Sequence, residues 1–133
     1  MIIDAHAHFV RPALLEDVKA QRRLFPSLKT REEKGQLCFS FFGAEMTRPV
    51  MPLLSDLEKR RTWMAAQSIG RQVVGGWLDS FGYELPAEQG ADWSRFYNEH
   101  LIKGVQALPA LVPLATVPMQ SGVHAAGVLE AAV

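Results

Sequence analysis

Three short apolar runs rich in β-branched or small residues, separated by longer stretches of helical spacing, leave this chain few ways to fold. The first run, Met1 to Phe9, begins almost at the first residue and is stopped by Arg11-Pro12, as in a short buried strand. The second is Arg71 to Trp77, whose Gly75 and Gly76 permit close approach of a neighbouring backbone or ligand, and the third is Leu111 to Val117. Between them, Pro12 to Arg23 has the pattern of an amphipathic helix with proline in its first turn. A second helix is expected from Ser55 to Gln67, with Ser55 as cap, Glu58 placed as in a capping box, and Gly70 beyond its end. The longest helical segment is Ala87 to Leu108, where Trp93, Phe96, Tyr97, Leu101 and Val105 trace one apolar face at steps of three and four. A further helix runs from Ser121 to Val133. Connections of this length carry a strand over to a parallel neighbour, so the expected fold is α/β, with parallel strands alternating with helices. A small β-hairpin is expected inside the first crossover, Gln36 to Phe41 pairing with Glu45 to Arg48 around Gly43.

A chain of 133 residues has the size of one domain, or of a piece of one. With 48% apolar and 21% charged residues, it can support a core. Fourteen basic and fourteen acidic side chains cancel and lie in short clusters such as Lys59-Arg60-Arg61, which speaks against a nucleic-acid partner. The longest apolar stretch, Val105 to Met119, is broken by Pro109, Pro113 and Pro118, and a bilayer span needs roughly 20 uninterrupted residues, so no membrane partner is expected. Cys38 is the single cysteine and is read as a buried small hydrophobe. With no internal disulfide to form and no basic leader before the first strand, the expected location is cytoplasmic.

The chemistry is carried by Asp4-Ala5-His6-Ala7-His8. Alternate residues of a strand share a face, so both imidazoles project together, and Asp4 is expected on that face as a structural or ligand-orienting group. Ala5 and Ala7 would lie on the other side, small enough for covering helices to approach. Imidazole nitrogen suits zinc and related divalent ions, and a catalytic site needs further protein ligands and one open position. With 4 histidines in the chain, a chance pair at this spacing arises about 0.1 times, so the bare pattern depends on its context at a strand end. The same pair can also be read as two hydrogen-bonded histidines at a strand end. His100 and His124 fall on predicted helices and are read as solvated helix residues. Trp77 and Tyr83, near the end of the second strand, are read either as pocket-lining aromatics or as packing.

Ile3 to Phe9, Thr47-Arg48-Pro49-Val50, Phe81-Gly82-Tyr83, Tyr97 to Leu101 and Leu114 to Gln120 together resemble the aminocarboxymuconate-semialdehyde decarboxylase-like (amidohydrolase 2) branch of the amidohydrolase superfamily. The resemblance implies that residues 1–133 are the N-terminal part of a single (β/α)₈ TIM-barrel domain and less than half of it. It implies one divalent metal, zinc or in some members manganese, held by His6 and His8 together with a histidine and an aspartate from later strands. It also implies that Arg48 binds a substrate carboxylate, against a reading as an exposed hairpin arginine. No catalytic residue is identifiable in this half. The implied reaction is non-oxidative decarboxylation of a small unsaturated or aromatic carboxylic acid, with metal-dependent hydrolysis or hydration as the alternative in the same superfamily. A third reading is an inactive stand-alone fragment or binding domain. A few strands of such a barrel leave an open edge and a bare apolar face, so the chain by itself is expected to be inactive and to associate as a homo-oligomer, a dimer, or with the missing half.

Overall fold

The apolar runs do pair in parallel. In the computed structural model, which describes residues 1–132, the elements follow as β1 (Ile2–His8), α1 (Pro12–Lys19), β2 (Leu28–Glu33), β3 (Gln36–Phe41), α2 (Leu57–Ala66), β4 (Ile69–Gly75), α3 (Ala87–Val105), β5 (Leu111–Pro113) and α4 (Gly122–Ala132). Single 3₁₀ turns lie at Pro52–Leu54 and Leu78–Ser80. β1, β4 and β5 form a parallel sheet with β4 in the middle, and β2 and β3 form a separate antiparallel hairpin.

Two apolar clusters hold these layers together. Phe9, Met64, Val74, Leu101, Val105 and Leu111 pack the helix-covered side of the sheet. The larger cluster gathers α1, α3 and the hairpin around Trp93, which is fully buried against Phe25, Phe39, Phe41, Phe96 and Tyr97. All five residues of the expected apolar face of α3 are buried, because a stripe repeating every three to four residues needs only one partner layer to cover it. The other side of the sheet is bare: Ile3 is 54% exposed, and Val112 in β5 and Leu114 beyond it are exposed as well. Cys38 is buried, as expected.

The differences from expectation have local causes. α1 ends at Lys19, short of Arg23, because Gln21 takes a left-handed conformation (φ 49°) that closes the last turn. β3 pairs with the preceding β2 rather than with Glu45 to Arg48. The turn is Lys34-Gly35, both at positive φ, as a two-residue hairpin requires. The segment after Gly43 still runs back along β3, with Thr47 N donating to Phe39 O and Val50 N to Leu37 O, but without a regular ladder. α2 is capped by Asp56, whose Oδ1 accepts from Lys59 N at 2.9 Å, while Ser55 closes the 3₁₀ turn before it. β5 stops at Pro113; after Leu114 N bonds Val74 O, the chain leaves the sheet and is held by the Asn98 side-chain amide, which pairs with both Thr116 N and Thr116 O. No helix among the described residues is long and apolar enough to cross a membrane.

His100 is a clear correction. It is not solvated but only 6% exposed, with its ring against Phe96 and Nε2 3.3 Å from Asp17 Oδ2. Arg11 donates to Nδ1 at 3.3 Å, so the ring is neutral with its proton on Nε2, tying α3 to α1. Burial holds its pKa below the ordinary imidazole value, outweighing the opposing pull of Asp17. His124 is partly buried and lies 2.8 Å from Ser121 Oγ in the first turn of α4.

Candidate functional site

The two histidines of β1 come together at its C-terminal end. Their ring centroids are 4.9 Å apart at 87°, with His6 exposed and His8 partly buried. His8 Nδ1–H donates to Gly76 O at 2.8 Å, which fixes the tautomer and leaves the Nε2 lone pair free. A carbonyl holding one ring nitrogen while the other stays open is the usual way a metal-ligating imidazole is oriented. Two imidazoles are short of the three protein ligands of a catalytic zinc site. Among the described residues no cluster of three or more His, Cys, Asp or Glu side chains is placed to hold a metal. The donor chemistry of the pair fits a divalent cation, and these residues by themselves do not complete such a site.

Asp4 does not share the histidines' face. β1 pairs Asp4 with Gln72 but Ala7 with Val74, three residues of β1 against two of β4, so one extra residue falls between them. A bulge of this kind shifts the side-chain alternation. Asp4 therefore lies with Gln72 on the helix-covered side, where Gln72 Nε2 donates to its Oδ2 at 2.7 Å, while its Oδ1 accepts from His6 N at 3.2 Å. These two bonds, Gln72 first, hold the Asp4 carboxyl below the ordinary carboxylate range. Its structural role matches expectation, though from the opposite face. Ala7 does pack under the helices, but Ala5, at the bulge, is exposed.

The loop after β4 forms the neighbouring wall of the site. Tyr97, fully buried, accepts from Trp77 N at 3.1 Å and lies 2.9 Å from Ser80 Oγ, which also donates to Trp77 O. Burial pushes the Tyr97 phenol up, so it stays protonated as a hydrogen-bond partner. Trp93 Nε1 donates to Ser80 O at 2.7 Å. Trp77 is buried packing, with Arg48 Cζ 5.8 Å from its ring centre, and Tyr83 is partly exposed against Phe81. Arg48 is exposed, and its fork is already matched. Nε and one terminal nitrogen donate to the two oxygens of Asp79 at 2.8 and 3.1 Å, and this pairing raises its pKa. Asp79 went unnoticed in the sequence, where nothing links it to Arg48 thirty-one positions away.

Gly76 joins the two walls. A Cβ there would lie 2.7 Å from Cε1 of the buried Tyr97 and 2.8 Å from Cε1 of the half-buried Phe81, so a side chain has to displace both rings. Gly76→Ala is expected to cost about 1–3 kcal/mol of stability through overpacking and to loosen the carbonyl that orients His8. Urea unfolding reads the first effect. Imidazole ¹⁵N shifts read the second, since His8 would become a mixture of tautomers.

Among solved structures, the chain is similar to IDCase of Metarhizium anisopliae in its apo form, with a TM-score of 0.66 at 13% identity, covering 98% of this chain and 39% of that one. It is likewise similar to 5-carboxyvanillate decarboxylase LigW from Sphingomonas paucimobilis, with a TM-score of 0.63 at 16% identity over 98% of this chain and 38% of that one. No protein-family model and no curated protein matches it by sequence. At these identities the likeness is one of fold. The chain spans about two fifths of the length of each of these structures.

Proposed function

We propose that residues 1–133 are the N-terminal part of a single (β/α)₈ barrel of the amidohydrolase superfamily. The reaction we assign to the complete barrel is metal-dependent, non-oxidative decarboxylation of a small unsaturated or aromatic acid. One observation carries this reading: His8 is held by the Gly76 carbonyl with Nε2 free beside the His6 ring, at the C-terminal end of a parallel strand. That is the end of a barrel strand at which active sites sit. A fold shared with 5-carboxyvanillate decarboxylase supports the choice of reaction.

In this reading His6 and His8 hold zinc, or in its place manganese, with the other ligands supplied by later strands of the barrel. The ion, when bound, would polarise a substrate oxygen and favour the charge distribution of the transition state. Gly76 keeps His8 in the ligating tautomer throughout. Arg48 anchors a substrate carboxylate on the exposed edge of its guanidinium, with Asp79 holding the other edge and the Trp77 ring beneath. The reaction breaks one C–C bond, releases CO₂ and returns a proton to the carbon. The group that delivers this proton belongs to the part of the barrel outside this chain. Alone, these residues supply an incomplete site and a bare sheet face, which either the complementary strands or a second copy covers.

The complete protein, loaded with zinc or manganese, should be assayed against carboxylated phenols and muconate-type acids. The expected result is CO₂ release in equal amount to substrate consumed. A hydrated or hydrolysed product without CO₂ would assign the site to the hydrolase or hydratase chemistry instead.

A further inference from the structure

Lys59, Arg60 and Arg61 stand side by side in α2, yet they behave differently. Lys59 and Arg61 pair across the helix surface with Asp56 at 3.7 Å and Glu58 at 2.6 Å. Arg60 turns inward. It is partly buried, with Cζ 5.8 Å from the Phe9 ring centre, and donates from one terminal nitrogen to His8 O and from the other to Gln72 Oε1, both at 2.6 Å. Gln72, itself only 2% exposed, passes the connection on through Nε2 to Asp4, whose other oxygen takes the His6 amide.

We propose that Arg60 is a positioning residue for the histidine pair: its guanidinium spans the β1 bulge, holding His8 by its carbonyl and His6 through Gln72 and Asp4. The proposal rests on the reading of His6 and His8 as metal ligands. The physical argument starts from the bulge. His8 is paired with Gly75, but His6 falls in the irregular stretch between Asp4 and Ala7, so the ladder that would hold His6 in place beside His8 is interrupted on its side. Side-chain bonds from outside the strand replace it, and they grip both sides of the irregularity. An apolar residue at position 60 would fill the same space beside Phe9 without the cost of drawing a guanidinium out of water. What Arg60 adds over such a residue is two directed bonds to a strand whose own pairing is broken there.

The test uses the complete protein, ¹⁵N-labelled at histidine, stripped of metal, titrated with Zn²⁺ and followed by the imidazole resonances of His6 and His8. In the parent chain both rings are expected to respond together and saturate at one concentration. Arg60→Met is expected to raise the half-saturating Zn²⁺ concentration about 10- to 100-fold, the range typical when a group supporting a ligand is removed. It should also speed hydrogen exchange at the His6 amide and disperse the His8 ring signals, before any metal is added. Arg60→Lys, which can hold the His8 carbonyl but not both acceptors, should recover part of the affinity. If Arg60→Met fails to fold, Gln72→Met carries the test, because it removes the bond that holds Asp4, and with it the support of the His6 amide, while leaving the Arg60 bond to His8 in place. An unchanged half-saturation point with unchanged His6 exchange, in whichever of the two variants folds, overturns the proposal. Parent-like Zn²⁺ uptake by His6→Ala or His8→Ala would instead overturn the metal reading itself, so the two failures are distinguishable.

Discussion

On the proposed role of His8 as a ligand, His8→Ala is expected to lower the protein's affinity for a divalent cation more than about 100-fold, beyond the range usual for groups that merely support a ligand. The reason lies in the geometry of the ring. Its Nδ1 proton is committed to Gly76 O, so Nε2 is offered as a lone pair in one direction. His6→Ala is expected to act in the same sense. It should act less steeply, since His6 is exposed and only its backbone amide, not its ring, is held by Asp4. Metal content by atomic emission after dialysis, together with CO₂ release by the complete protein, measures both variants. His124→Ala serves as the control, because its ring pairs with Ser121 at the start of α4 and belongs to a different part of the fold. Full metal stoichiometry in both β1 variants would refute the assignment.

Trp93→Ala is expected to lower unfolding free energy by about 3–5 kcal/mol, the range for emptying a large buried aromatic site. Domains of this kind have about 5–15 kcal/mol in total, so the variant should be largely unfolded at moderate urea. Trp93 is the residue on which hairpin, α1 and α3 converge, touching five aromatic rings with none of its surface exposed. The substitution also removes the Nε1 bond to Ser80 O and so releases the loop that carries Asp79. Trp93→Phe keeps most of the packing and loses that bond, for an expected cost nearer 1–2 kcal/mol. Equilibrium urea unfolding of the three proteins measures the series. A loss below about 1 kcal/mol for Trp93→Ala would show that the cluster is not the centre of the core.

Much of the architecture was legible because it is written in local repeats. Short apolar runs of β-branched or small residues mark β1 and β4, a period near 3.6 marks α3, and proline at the start of α1 suits a position that needs no amide proton. The parallel sheet follows from the length of the connections, and the meeting of His6 and His8 follows from alternation along a strand. Such features depend on backbone geometry within a few residues, and the sequence by itself determined them.

Only the tertiary structure decided what meets across distance. The bulge that turns Asp4 away from the histidines arises from the register between β1 and β4, strands separated by sixty positions and more, and no composition within β1 announces it. β3 had two flanking segments as candidate partners, and the Lys34-Gly35 turn, not the one at Gly43, made the regular ladder. Arg48 finds Asp79, His100 finds Asp17 and Arg11, and Arg60 finds His8 and Gln72, each pair brought together by packing of elements far apart in the chain. A charged or polar side chain carries no mark of which of many distant partners it will reach. That choice is made by the apolar surfaces, whose burial fixes how the layers stack and leaves the polar groups to pair with whatever is then within reach.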